Sequence, residues 1–211
     1  MNNYQQTGSF FDQRLWETAE GLISPDPYLR ESSLDQFKEI DGLYRSPLIA
    51  YLLVSRISEP DLEIRFHLIQ LFGSLVDYDS PGQHLTDQAL SVAKDALDQM
   101  KKFQLIMLLE VSDSYLAAES AIKSILKLSS YAGAILSGIV NDWKLPVSIR
   151  QQAVFYCGEG GFLSSRPTLQ NLIQRVEKTR VRPGGGSERK KSREDEILYP
   201  YVVSAMEKLI P

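Results

Sequence analysis

Pro25-Asp26-Pro27-Tyr28-Leu29-Arg30 returns in the same chain as Pro60-Asp61-Leu62-Glu63-Ile64-Arg65. Each copy opens an amphipathic run of helical spacing, and an aspartate just ahead of such a run is an N-cap signal. Two degenerate copies follow, Asp113-Ser114-Tyr115-Leu116-Ala117 and Pro146-Val147-Ser148-Ile149-Arg150. Leu29 and Ile64 lie 35 residues apart, and Leu116 and Ile149 lie 33 apart. A recurrence of that length is one helical hairpin, so the sequence predicts a stacked repeat array rather than a globular enzyme. Ile64 and Leu116 are 52 residues apart, which is neither one period nor two, so the frame between residues 77 and 112 stays open.

Outward from these phrases the apolar spacing is helical. Phe11, Leu15, Ala19, Leu22 and Ile23 mark one face of an N-terminal helix over 9–24, which Ser24-Pro25-Asp26-Pro27 ends. Leu29, Leu34, Phe37 and Ile40 form the inner stripe of the next helix. Leu48 to Ile57 is apolar on nearly every side, which predicts burial between neighbours. The stripe resumes through Leu68, Ile69, Leu71, Phe72 and Leu75, and Ser80-Pro81-Gly82 breaks it. Further helices are expected at about 85–99, 102–111, 114–128, 131–141, 146–157 and 167–180. Five residues after the aliphatic of each phrase stand Leu34, Ile69, Ala121 and Val154; eight after it stand Phe37, Phe72, Ser124 and Cys157, of which only Ser124 departs from an apolar face.

The C-terminal part changes character. Pro183-Gly184-Gly185-Gly186-Ser187, followed by a run of charges, predicts a flexible basic loop over 181–195. Its Arg182, Arg189, Lys190, Lys191 and Arg193 are the candidate partner contacts, toward an acidic protein surface or a phosphate backbone. Residues 196–211 read as a capping helix with Ile197, Val202, Met206 and Leu209 inward. The whole chain, 1–211, is therefore read as one all-α unit, an α-solenoid of stacked antiparallel helical hairpins with repeats over 25–180.

The bulk composition narrows the function. With 43% hydrophobic and 24% charged residues the composition is that of an ordinary soluble protein, and global disorder is not expected. A net charge of −4 disfavours general attraction to nucleic acid. The aliphatic run Leu48 to Val54 is far shorter than the roughly 20 residues that span a bilayer. The polar start Met1-Asn2-Asn3-Tyr4 lacks a basic leader, so the expected location is cytoplasmic. Cys157, the sole cysteine, forms no intramolecular disulfide or cysteine zinc site and is expected to be buried and inert. His67 and His84 show no metal-ligand spacing, and Gly158-Glu159-Gly160-Gly161 follows a helix, so Gly158 reads as a C-cap rather than part of a phosphate cradle.

The phrase Pro-Asp-x-x-aliphatic-Arg resembles the opening of the first helix in bacterial HEAT-repeat proteins of the short, lyase-like kind. It is strong at 25–30 and 60–65, fair at 146–150, and weak at 113–117, where Ala117 replaces the arginine. The resemblance implies an α-solenoid whose second helices, about 46–57, 102–111, 131–141 and 167–180, line a concave face that binds macromolecules. It further implies that Asp26, Arg30, Asp61, Arg65 and Arg150 are architectural, with aspartate and arginine bonding between repeats. No activity follows from it: the paired His-Glu dipeptides of HEAT iron hydroxylases are absent. The expectation is a non-enzymatic scaffold for another protein, monomeric, without cofactor, metal or membrane segment. A DNA-binding, alkylpurine-glycosylase-like protein using Trp16, Trp143 and Lys144 is the alternative, and a bilin lyase the more distant one.

Overall fold

The computed structural model of the protein describes residues 4–40, 42–181 and 187–210, with side chains for 13–40, 42–180 and 193–210. Among the described residues there are eleven α-helices, four short 3-10 segments and no strand, so the chain is all-helical. No described helix is long and apolar enough to cross a membrane. The helices fall into two compact units, residues 1–96 and 97–211.

The first unit begins with α1 (Tyr4–Leu22), α2 (Pro27–Glu39), α3 (Pro47–Ser55) and α4 (Leu62–Val76). The expected caps are present. Asp26 accepts a hydrogen bond from the Tyr28 amide at 3.0 Å, and Pro27 occupies the first turn, where a missing N–H costs nothing. Asp61 accepts from the amides of Glu63 and Ile64 at 3.0 and 3.1 Å. Leu34, Phe37, Leu68, Ile69 and Phe72 are fully or almost fully buried, and each such side chain contributes about 1.5–3 kcal/mol.

The two aliphatics of the phrase part company here. Ile64 is buried, because α4 packs on both α2 and α3. Leu29 is 54% exposed and Tyr28 80%, against the inner position expected for Leu29. Helix α1 ends at Leu22, and Ile23 also turns outward, so the first turn of α2 extends past its only earlier neighbour. Helix α3 is a second correction. Ile49, Ala50, Leu53 and Val54 are buried, but Leu48 and Tyr51 are exposed, so this helix is not enclosed on all sides. Residues 77–86 then form the expected break, fastened by the Tyr78 hydroxyl donating to the Leu85 carbonyl at 2.8 Å and the Thr86 amide donating to the Tyr44 carbonyl at 3.0 Å. Helix α5 (Asp87–Asp98) follows.

The second unit holds α6 (Lys102–Ser114), α7 (Glu119–Leu128), α8 (Ala132–Val140), α9 (Val147–Glu159), α10 (Arg166–Val181) and α11 (Ser187–Lys208). The weak phrase at 113–117 opens no capped helix. Asp113 and Ser114 lie in the last turn of α6, Leu116 is 80% exposed, and α7 has no side-chain cap. At 146–150 the pattern recovers, with Ile149 and Arg150 buried in the first turn of α9.

Two C-terminal expectations change. Helix α10 runs to Val181 and α11 starts at Ser187, so within the segment expected as a flexible loop, Val181 and residues 187–195 are helical; Arg182 lies outside the described residues. Glu, Arg and Lys are strong helix formers because their straight side chains lose little freedom on a helix, and an early turn of α11 is fixed through its acids, as described below. The inner stripe of α11 is Leu198, Val202 and Ala205, continued by the buried Leu209 just after its end; Ile197 is exposed and Met206 half-buried.

Gly158 is not a C-cap but an interior residue of α9, whose cap is Gly160. A Cβ at Gly158 would stand 2.8 Å from the Ala205 Cα, so glycine permits α9 and α11 to touch backbone to backbone. Gly158→Ala is therefore expected to lose stability despite alanine's helix preference of up to about 1 kcal/mol, since overpacking costs about 1–3 kcal/mol. A lowered urea midpoint, only partly restored by Ala205→Gly, would verify this contact.

Candidate functional site

Two arginines of the repeated phrase, Arg30 and Arg150, are each held by several hydrogen bonds, and their partners are not the aspartates of the phrase. Arg30 donates from Nε and Nη2 to Glu59 Oε1 at 3.1 and 2.8 Å, and from Nη1 to the carbonyls of Ser24 and Pro25 at 2.9 and 3.0 Å. Glu59 is buried; its other oxygen binds Arg56, and its Oε1 also accepts from the Asp61 amide at 3.2 Å. The link between successive copies thus runs through the residue before the second copy's proline, while Asp26 and Asp61 serve only as caps. Arg65 is also buried. Sequence reading missed Glu59; its one signal was an acid at the head of a phrase whose arginine needs an anion.

Arg150, 1% exposed, is held the same way in the second unit. Its Nε donates to the Val140 carbonyl at 2.9 Å, Nη1 to Glu194 at 3.1 Å and Nη2 to Asp195 at 3.0 Å. The second oxygen of Asp195 accepts from Arg175 Nε at 3.0 Å, and Arg175 Nη1 reaches Asn141 Oδ1 at 3.4 Å. These acids lie on α11, directly after the basic cluster. Arg193 is exposed; the side chains of Arg189, Lys190 and Lys191 lie outside the described residues.

A groove of about 330 Å³ opens in the second unit, lined by Glu119, Ser120, Lys123, Phe155 and Glu159. Lys208 pairs with Glu159 and stands 5.7 Å from the centre of the Phe155 ring. Tyr156 is buried, with its hydroxyl 2.8 Å from Ser112 Oγ, which itself donates to Gln152 at 3.0 Å. Burial holds the Tyr156 phenol far above its ordinary pKa, and the nearby charges of Glu119 and Glu159 raise it further, so it stays protonated. The lining contains no histidine or cysteine. Its two carboxylates and aromatic wall suit a positive group, and Lys208 supplies one from within the chain.

The remaining candidates are accounted for individually. Cys157 is fully buried and its thiol is pushed up to about 11 by burial, against a lowering hydrogen bond with Ser165, so it is a neutral thiol at physiological pH. His67 lies beside the Phe66 ring and His84 against Tyr78, with centroids 5.4 and 4.9 Å apart. Among the described residues no three His, Cys, Asp or Glu side chains are grouped to hold a metal ion. Trp16 and Trp143 are 58% and 52% exposed. On α3, Leu48 and Tyr51 face solvent three residues apart, at 37% and 53% exposure. Compared with known protein families, curated proteins and solved structures, the chain matches none.

Proposed function

We propose that this chain is a HEAT-like α-solenoid that binds another protein through the concave face lined by its second helices, without catalysis. The observation that carries this reading is the exposed pair Leu48 and Tyr51 on α3, a helix whose Ile49, Ala50, Leu53 and Val54 are buried. Two apolar side chains one turn apart lie side by side on a helix, and an aromatic with a polar tip is a common anchor at interfaces. The buried Arg30–Glu59 link supports the repeat architecture, since it ties one copy of the phrase to the start of the next.

Affinity capture from native cell extract, after nuclease treatment, tests this reading. Leu48→Asp combined with Tyr51→Glu places charge on a surface position and should leave helicity and the unfolding midpoint nearly unchanged, because surface substitutions usually stay within about 0.5 kcal/mol. The expected result is loss of the captured protein, with affinity weakened at least tenfold. Equal recovery by both proteins would remove α3 from the interface.

A further inference from the structure

The groove of the second unit holds two charges without a counterpart. Its walls are the first turns of α7, which bring Glu119, Ser120 and Lys123, and the last turns of α9, which bring Phe155 and Glu159. Glu159 is paired with Lys208 of α11, whose ammonium also stands over the Phe155 ring, so this acid and this base cancel. Glu119 and Lys123 are both half-buried, and among the described residues their side chains form no ion pair or hydrogen bond; the Ser120 hydroxyl forms none either. Four positions apart on one helix face, the acid and the base are close enough to act on one small ligand.

The charges left over decide the ligand. A partly buried charge without a partner is unfavourable, and a ligand that supplies the partner removes that cost. A polyanion would meet Glu119 and Glu159, and a polyamine would meet Lys123 and Lys208, so neither matches the lining. A molecule carrying an ammonium and a carboxylate on one carbon matches both free groups at once. At about 330 Å³ the groove lies at the small end of ligand pockets, a size for a metabolite. Phe155, half-buried beside the charges, offers an apolar wall for a side chain.

We infer that this groove binds a free α-amino acid with an aromatic or large apolar side chain. The ligand's ammonium lies against Glu119, its carboxylate against Lys123 and the Ser120 hydroxyl, and its side chain against Phe155. A residue inside a polypeptide has lost both charges to peptide bonds, so the acid and base together select the free amino acid. Lys208 is a positioning residue: by neutralising Glu159 it keeps the groove from favouring a plain cation. The groove and α3 belong to different units, and this inference stands or falls independently of the α3 face.

The test is titration of the isotope-labelled full chain with L-phenylalanine, L-tryptophan and L-leucine, read from the shifts of its backbone amides by NMR. The expected result is saturable shifts at residues 119–123 and 155–159 for at least one of them below about 10 mM ligand, a weak affinity within reach of a few charge-assisted hydrogen bonds. Phenethylamine, which lacks the carboxylate, and phenylpropanoate, which lacks the ammonium, should each bind about tenfold more weakly than phenylalanine. Glu119→Gln and Lys123→Met should each weaken the amino acid by a similar factor, with circular dichroism and the urea midpoint checking that both variants are folded. Lys208→Met leaves Glu159 unpaired and should instead strengthen phenethylamine binding. Absence of saturable shifts with all three amino acids would overturn the inference. So would equal binding of both analogues, which would reduce the groove to an apolar patch. Phenethylamine binding as tightly as phenylalanine, with Lys123→Met unaffected, would make it a site for plain cations and would overturn the inference as well.

Discussion

Replacing Glu194 and Asp195 together by alanine is expected to destabilise the second unit by about 4 kcal/mol, within the range for stranding a buried charge. The reason lies in unequal burial. Arg150 is 1% exposed and cannot lose its proton, so without the acids its guanidinium keeps only the Val140 carbonyl. Arg150→Met should cost less, about 2 kcal/mol. The side chains of Glu194 and Asp195 are 21% and 13% exposed, and Asp195 retains Arg175. Chemical denaturation of the variants measures this order. If Arg150→Met proves the more damaging, the carboxylates of Glu194 and Asp195 left without their cation, and not a stranded guanidinium, set the cost of breaking the site. The double acid variant should also speed amide exchange over the start of α11, because the ion pairs tie those turns to α9.

Glu59→Ala is expected to destabilise the first unit by about 3 kcal/mol, and Glu59→Gln by about half as much. Glu59 is 1% exposed and serves two arginines whose own side chains are 10% and 26% exposed. Removing the carboxylate leaves Arg30 with two backbone carbonyls and Arg56 with a route to water, which places the cost at the lower end for a buried pair. Glutamine preserves the shape and an acceptor for Arg30 but gives up the charge and offers Arg56 no second acceptor. The two urea midpoints decide between the accounts: equal losses would mean that charge carries the whole effect. Raised salt should rescue neither variant, since the cluster is shielded from the ions that screen surface pairs.

Particular residues show how far reading the chain could go. Asp26 and Asp61 were legible as caps because a cap acts on amides two or three residues away. Leu34, Phe37, Ile69, Phe72, Val154 and Cys157 were legible as core because a 3.6-residue period puts them on one face, and all six are buried. Leu29 and Leu48 were misread by the same rule, which identifies a stripe but not whether another helix covers it. Asp113 was misread because the local pattern resembles a cap without containing the chain reversal that makes one. Among the site residues, the phrase picks out Arg30 and Arg150 but not Glu59, Glu194 and Asp195, the acids they bind.

What the sequence by itself determined is the helical content, the caps and the inward stripe of each well-formed helix, because these rest on interactions spanning one turn. The tertiary structure alone decided which acid meets which arginine, why Gly158 must lack a side chain, and which charges meet in the groove. Arg30 and Glu59 are separated by 29 residues, and Arg150 and Asp195 by 45. Contacts at that range depend on how successive helices reverse and pack, and no local pattern of apolar and charged residues encodes the reversal.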